Sequence, residues 1–359
     1  MGSGGFRLAR IVALAYTLVI VYASLQPFTG WRPPPVEVLG FLSAPWPRYV
    51  TAGDVMLNVA AYLPLGATLF AALRPPLAAA PAFIAATMIA VLVSLALESA
   101  QMFLPTRIAT NLDLLTNAFG AAIGALAAWA LTLPMLANNP LALVRRRAVR
   151  ADALGDFGLL VVALWILIQF HQVPFALGHG DLREMLNITP LFTHTPLSYL
   201  LLETGVVTLA IIATGVLVSQ LLHPRQPALP AIAVTLLLAL TAKSIATVTL
   251  ARATNWLQWL TPGTAAGAVT GILMLALLLR LTPAARAAIA LICIAAEVLI
   301  VNTAPENPYQ PVPAFMRSAR PTHLVNFSHI VHVLSQAWPL IAAIFLLAVG
   351  RAHRAAARS

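Results

Sequence analysis

The stretch LESAQMFLPTRIATNLDLLTNAFG, residues 97–120, gathers charged and amide side chains inside an otherwise apolar chain. An apolar run ends near residue 104, and another begins near residue 113. Each run is long enough to cross about 30 Å of hydrocarbon, which takes roughly 20 residues of helix. The stretch therefore predicts the end of one membrane span, a short loop and the start of the next span.

The composition of the whole chain supports this interpretation. Of its 359 residues, 60% are hydrophobic and only 9% are charged, and the mean hydropathy is +0.88. A typical soluble domain has about 25% charged residues. The composition therefore indicates an integral membrane protein.

Apolar runs of spanning length recur along the chain and are separated by short loops with Arg or Pro. Runs this long are typical of membrane helices, because membrane barrels use short alternating strands. We predict an all-α, polytopic transmembrane bundle of about ten spans. They lie near 10–28, 54–73, 77–104, 113–134, 157–178, 197–221, 229–249, 263–281, 284–302 and 329–350.

The net charge of +10 comes almost entirely from Arg. No basic, aromatic-rich segment is suited to a polynucleotide, so no nucleic-acid partner is expected. With the N-terminus inside, 13 Arg fall in cytoplasmic segments and 7 in outer loops, which is the positive-inside bias. We therefore predict a multi-pass protein of the bacterial inner membrane with both termini cytoplasmic.

An internal repeat organises the chain. Residues 96–111 align with 241–255, so that Glu98 meets Lys243 and Arg107 meets Arg252 at the same spacing of nine. GAAIG at 120–124 matches GAVTG at 267–271, and QPF at 26–28 matches VPF at 173–175. Each copy has four spans, so an axis along the membrane normal would relate them.

The repeat sets the predicted domains. They are a four-helix membrane domain at 1–136, a basic cytoplasmic linker at 137–156, a second degenerate four-helix repeat at 157–282, and a two-helix extension with a long outer loop at 283–359.

Polar residues at helical spacing mark one face of three spans in the first copy. They lie toward the predicted outer ends, where the adjoining loop adds an Arg and an Asn. The predicted substrate-binding residues are Asp54, Asn58, Glu98, Gln101, Arg107, Asn111, Asp113 and Asn117.

Structural roles compete with this hypothesis. Asp54 and Asp113 stand at span starts, where a carboxylate caps a helix. Asn58, Asn117 and Gln101 are also typical of interhelical hydrogen bonds. Glu98 differs, because an acid within a span is costly and usually marks a site or a pair. It could pair with Lys243, or with Arg107 while Lys243 reaches a backbone carbonyl.

The segments DVMLNVAAYLPLGATL, residues 54–69, and 96–126 together resemble the VanZ-like membrane proteins. The shared pattern is Asp and Asn before a Pro-Leu-Gly helix, then Glu-x-x-Gln, Arg, Asp, Asn and a Gly-rich helix. Beyond the residues already named, the resemblance adds Pro64, Gly66, Gly120 and Gly124, which we predict to be structural, as is Lys243.

This resemblance covers residues 52–130. It implies a link to resistance to the glycopeptide teicoplanin, known for the founding member, without an established biochemical activity. The second copy departs from the pattern, since Lys243 replaces Glu98 and no acid replaces Asp113.

Two functional classes are consistent with these residues. The first is a non-enzymatic protein that binds or moves an amphiphilic envelope component, such as a lipid-linked sugar or a glycopeptide-like molecule, at the outer leaflet. The second is an intramembrane enzyme in which Glu98 or Asp113 is the base and Arg107 holds a lipid-linked phosphate. We favour the first, and a purely structural role is a third alternative. The expected partner of the protein is a membrane lipid or a lipid-linked envelope precursor.

Metal and cofactor chemistry has little support. His329 and His332 have a spacing that a metal could use, but a third converging ligand is missing from the pattern, so no metal is predicted. No nucleotide or cofactor motif is present, and the single Cys293 excludes an internal disulfide.

Overall fold

A computed structural model describes residues 3–25, 28–34, 37–47, 52–74, 76–131, 147–171, 175–224, 226–249, 253–305 and 323–356. Within these ranges the chain is helical and has no strand, apart from one isolated bridge between Val149 and Leu222. The predicted all-α class is therefore confirmed.

Ten long helices, numbered here in chain order, lie in the described ranges. They are α1 (Ser3–Leu25), α2 (Ala52–Leu73), α3 (Ala79–Gln101), α4 (Asn111–Ala130), α5 (Ala153–Ile168), α6 (Pro196–Leu221), α7 (Ala228–Thr249), α8 (Pro262–Leu278), α9 (Pro283–Thr303) and α10 (His323–Ala356). Helices α3, α4, α6, α7, α9 and residues 331–355 of α10 are long and apolar enough to cross a membrane, and α1, α2, α5 and α8 contain shorter apolar segments.

The fifth predicted span ends earlier than its apolar sequence suggested. We expected helix to residue 178, but α5 stops at Ile168, and residues 175–180 are buried without being helical. Pro174 explains part of the difference, because proline disfavours helix in the residue before it. Apolar composition alone does not distinguish a buried loop from a span.

The chain forms two compact units, which we describe separately. The N-terminal unit contains residues 1–144 and 320–330, and the C-terminal unit contains residues 145–319 and 331–359. The domain boundaries expected from the repeat stay a prediction.

In the N-terminal unit, α2 and α4 pack backbone to backbone. A Cβ added at Gly120 would lie 2.8 Å from the Cα of Val59, and one at Gly124 would lie 2.7 Å from the carbonyl carbon of Leu63. Gly66 of α2 contacts the backbone of Ala121 in the same way. Helix α3 packs on both α2 and α4, and α1 packs on α2 and α3. These contacts hold the polar ends of the four helices together.

In the C-terminal unit, α6 is the central helix. It packs against α5, α7, α8 and α9, and its residues 206–208 and 210–218 are all buried. Trp338 of α10 donates its indole N–H to the Val161 carbonyl of α5 at 2.9 Å, and both residues are fully buried. The unit therefore has its own core.

Candidate functional site

Polar side chains converge at one end of the N-terminal unit, where α1 and α3 end and α2 and α4 begin. We call this group the polar cluster. Its members are Asn58, Tyr62, Ser94, Glu98, Arg107, Thr110, Asp113, Thr116 and Asn117.

Glu98 lies at the base of the polar cluster, one turn before the end of α3. Only 5% of the residue is exposed. Its Oε2 accepts the backbone N–H of Thr110 at 3.1 Å, and the carboxylate lies within electrostatic range of Asp113 and Arg107. A buried acid is costly unless hydrogen bonds or an opposite charge compensate it, and Glu98 has both.

Thr110 connects Glu98 to α4. Its side chain caps the helix by accepting the backbone N–H of Asp113 at 3.0 Å, while its own N–H reaches Glu98. Asp113 is therefore not the capping residue of α4, although it lies in the first turn, where a carboxylate is favoured by the helix dipole. The Thr-x-x-Asp spacing at 110–113 resembles a capping box and could have indicated Thr110 from sequence.

Three helices are linked by the remaining members of the cluster. The amide of Asn58 on α2 donates to Asp113 Oδ1 at 2.5 Å and to Thr116 Oγ1 at 3.3 Å on α4. Asn117 of α4 donates to Ser94 Oγ of α3 at 3.0 Å, and Tyr62 of α2 is hydrogen-bonded to Ser94. Tyr62 is a contributor that the sequence analysis did not identify.

Arg107 lies in the loop between α3 and α4 and contributes the positive charge of the cluster. One guanidinium N–H donates to the Ala23 carbonyl at the end of α1, at 3.1 Å. Burial lowers the pKa of Arg107, and the negative charge of Glu98 opposes this shift. Arginine stays protonated in proteins, so the guanidinium offers donors to an anionic group.

Two further predicted residues lie around the cluster. Gln101 donates to the Ser24 carbonyl at 3.0 Å, and Asn111 donates to the Ala44 carbonyl at 2.7 Å. Both contacts attach the cluster to neighbouring chain segments. The side chain of Asp54, the remaining predicted residue, lies outside the part of the protein that the structure describes.

Exposure within the cluster is graded. Ser94, Glu98, Thr116 and Asn117 are buried, whereas Asn58, Arg107 and Asp113 are only partly buried, as is neighbouring Asn111. The arrangement is a buried polar floor beneath an accessible polar rim. It combines two carboxylates, several amides and one guanidinium, which together recognise hydroxyl and phosphate groups.

The C-terminal unit has related contacts at the corresponding helix ends. Lys243 of α7 donates to the His171 carbonyl just after α5, at 2.9 Å, much as Gln101 of α3 donates to the end of α1. Glu203 of α6 accepts hydroxyl hydrogens from Thr261 at 2.6 Å and Thr264 at 3.2 Å at the start of α8. Lys243 thus reaches a backbone carbonyl, while Glu98 accepts the Thr110 N–H and interacts electrostatically with Arg107. Whether Glu98 and Lys243 face each other stays a prediction.

The sequence analysis missed a buried acid in the C-terminal unit. Glu297 of α9 forms an ion pair with His179, and both side chains are fully buried. Its position within a predicted span was the available signal, because intramembrane acids usually have a partner or a function.

Of the two histidines considered as metal ligands, the structure describes the side chain of only one. The side chain of His329 lies outside the described residues, while Nδ1 of His332 is 3.0 Å from Nε2 of His171. Within the described ranges, no three potential His, Cys, Asp or Glu ligands converge.

The apolar helices and the polar cluster define a multi-pass integral membrane protein. The profile of the VanZ/LLP1 family matches residues 11–133. This part of the chain is therefore a VanZ-like domain, which confirms the resemblance found in its motif. Neither a curated protein nor a solved structure matches the chain.

Proposed function

We propose that the VanZ-like domain binds the polar headgroup of an amphiphilic envelope component, such as a lipid-linked sugar or a glycopeptide-like molecule. The observation that carries this proposal is the graded exposure of the polar cluster. A set of helix-linking side chains needs no accessible rim, whereas a binding site needs groups that a ligand can reach.

The rim chemistry favours a hydroxyl-rich headgroup. Asp113 supplies acceptors, and Asn58 and Asn111 supply both donors and acceptors. Arg107 adds a charged donor suited to one phosphate or carboxylate.

The surroundings of the rim suit an amphiphile. Leu115 and Phe119 follow Asp113 on α4 and are 56% and 61% exposed. Exposed apolar side chains on a membrane helix contact acyl or polyprenyl chains. A ligand could therefore place its headgroup on the rim and its tail along α4.

The outer leaflet is the expected side of access. The Arg distribution puts the N-terminus in the cytoplasm, so α1 and α3 would end, and α2 and α4 would begin, at the outer surface. Envelope components carried by lipids are accessible there.

Native mass spectrometry of the protein in nanodiscs containing a polyprenyl-diphosphate-linked sugar tests this proposal. We expect an intact complex with the wild type and its loss in Glu98→Gln and Asp113→Asn. Glu203→Gln is the matched control, because it makes the same change at a buried acid of the C-terminal unit. It should bind like the wild type.

Each outcome has a distinct meaning, provided that melting curves show the variants to be folded. Equal binding by the wild type, Glu98→Gln and Asp113→Asn would contradict a headgroup site. Release of a shortened lipid product by the wild type alone would favour the enzyme alternative, with Glu98 or Asp113 as base.

A further inference from the structure

The C-terminal unit contains a stretch of buried, non-helical backbone. Residues 175–180, which follow α5, are all buried, and Leu177 has a positive φ of 61°. At membrane depth, irregular backbone is tolerated only where protein or a water-filled cavity covers it. We call this segment the buried loop, and its burial requires partners for its backbone polar groups.

Side chains and backbone from α9 and α10 supply those partners. The backbone N–H of His179 donates to Glu297 Oε1 at 3.2 Å, and that of Gly180 donates to the Ser335 carbonyl at 3.0 Å. Asn302 donates to the Gly180 carbonyl at 2.7 Å and accepts the N–H of Leu182 at 2.7 Å. Two side chains of α9 therefore hold the buried loop in place.

Glu297 makes a second contact with the same loop residue. Its Oε1 also pairs with Nδ1 of His179, and neither side chain has any exposed surface. The imidazole stacks on Trp338, with ring centroids 4.3 Å apart. Within the described part of the chain, Nε2 of His179 and Oε2 of Glu297 have no hydrogen-bond partner.

Other ionisable groups of the C-terminal unit have different partners. Directly after the buried loop, Asp181 pairs with Arg183 at 2.6 Å and interacts electrostatically with His332 of α10. On α7, Lys243 donates to the His171 carbonyl, and on α6, Glu203 is held by Thr261 and Thr264. The groups that act electrostatically with Glu297 are His179 and, one turn earlier on α9, Cys293.

We propose that His179 and Glu297 form a proton-binding site that keeps the buried loop closed. With one proton added to neutral imidazole and carboxylate, the pair is either imidazolium with carboxylate or imidazole with carboxylic acid. Both forms have no net charge. Loss of that proton leaves a net charge of −1 on two side chains that have no exposed surface, which is strongly unfavourable.

The absence of exposed surface at the pair identifies the ligand. A proton can be gained or lost without displacing Trp338, which stacks on the imidazole, or the loop backbone, so the proton is the ligand that we assign to the pair. In this proposal the closed loop corresponds to the protonated pair. Deprotonation should favour opening of the buried loop, because opening brings water to the carboxylate.

Hydrogen–deuterium exchange of the peptide that covers residues 175–182 tests this inference in the full-length protein in nanodiscs. After correction for the intrinsic exchange rate, protection of the wild-type loop should fall as pH rises from about 6 to 9. A one-proton equilibrium changes by up to about tenfold per pH unit. A loop whose corrected protection stayed constant in the wild type would overturn the proposal.

The Glu297→Gln variant removes the titration but keeps the size of the side chain and its acceptor oxygen. Its loop should stay protected across this pH range, while Glu203→Gln, the matched control, should follow the wild type. His171 and His332 are present in every variant, so they do not account for a difference between variants. If Glu297→Gln kept the wild-type pH dependence, the pair would have a structural role only.

A second variant covers the case in which Glu297→Gln does not fold. In His179→Gln the carboxyl group must bind the proton without the imidazole, so the pH at which the loop opens should move. An unchanged pH profile would contradict the proposal. These results do not depend on binding at the polar cluster, so the two proposals are tested separately.

Discussion

The contact between α2 and α4 gives a quantitative prediction for Gly124→Ala. An alanine Cβ at this position would lie 2.7 Å from the carbonyl carbon of Leu63 and 3.0 Å from its Cα. Carbon atoms at optimal separation are about 3.5–4.0 Å apart. The Leu63 carbonyl oxygen would lie closer still, so the two helices would have to separate by at least about 1 Å, because these atoms belong to the backbone and cannot change rotamer.

Overpacking of this kind costs about 1–3 kcal/mol, and we expect the upper part of that range. For a domain of roughly 150–250 residues, 1 kcal/mol lowers Tm by about 2–4 °C, so Gly124→Ala should melt roughly 5–10 °C below the wild type. The measurement is a thermal melt in detergent, followed by the loss of monodisperse protein in size-exclusion chromatography.

Gly205→Ala on α6 is the matched control. A Cβ there would meet only Ile300 Cδ1 at 3.8 Å, an ordinary contact. This variant should melt within about 2 °C of the wild type, as expected for a well-accommodated methyl group. If both alanine variants melted at the same temperature, close packing of α2 on α4 would not limit the size of residue 124.

Three further predictions concern the N-cap of α4, the carboxylate of Asp181 and the membrane topology. Thr110→Ala should lower stability by about 0.5–2 kcal/mol in thermal melts, because α4 loses its cap, and Thr110→Ser should restore it. Burial would raise the pKa of Asp181, but the hydrogen bonds and charge of Arg183 bring it below its usual value. Its stabilising effect is therefore present above the unfolded pKa of about 3.9 and is lost as pH falls through the folded pKa, so Asp181→Asn should flatten the acid side of a plot of Tm against pH. In a Cys293→Ala background, Arg146→Cys should resist an impermeant thiol reagent added outside intact cells, and strong labelling would contradict the predicted topology.

The number of long helices in the described ranges could be predicted from sequence because it depends on the length and composition of apolar runs. The end of the fifth span could not, since residues 175–180 are buried by α9 and α10 and so need the same apolar composition as a helix. The loop is recognised only when its distant partners, such as Glu297 and Asn302, are known.

Among the polar residues, too, those marked by local spacing could be predicted, and those whose role depends on distant partners could not. Glu98, Asp113 and Asn117 were identified because helical spacing places them on marked faces of neighbouring spans. The capping role of Thr110 could have been found from the Thr-x-x-Asp spacing, but its contact with Glu98 could not, because that contact uses a backbone N–H, which is present at almost every position. His179 and Glu297 are 118 residues apart, so no local spacing connects them.

The shortness of α5 affects the bilayer around the C-terminal unit. Helices α5 and α8 have 16 and 17 residues. At 1.5 Å per residue they are about 24 and 26 Å long, less than a hydrocarbon core of about 30 Å. A membrane helix shorter than the hydrocarbon core is accommodated by thinning of the bilayer or by snorkelling of flanking residues, at a cost of a fraction of a kcal/mol per Å. Longer acyl chains would increase this mismatch beside the buried loop, so lipid chain length and pH should act on the same segment.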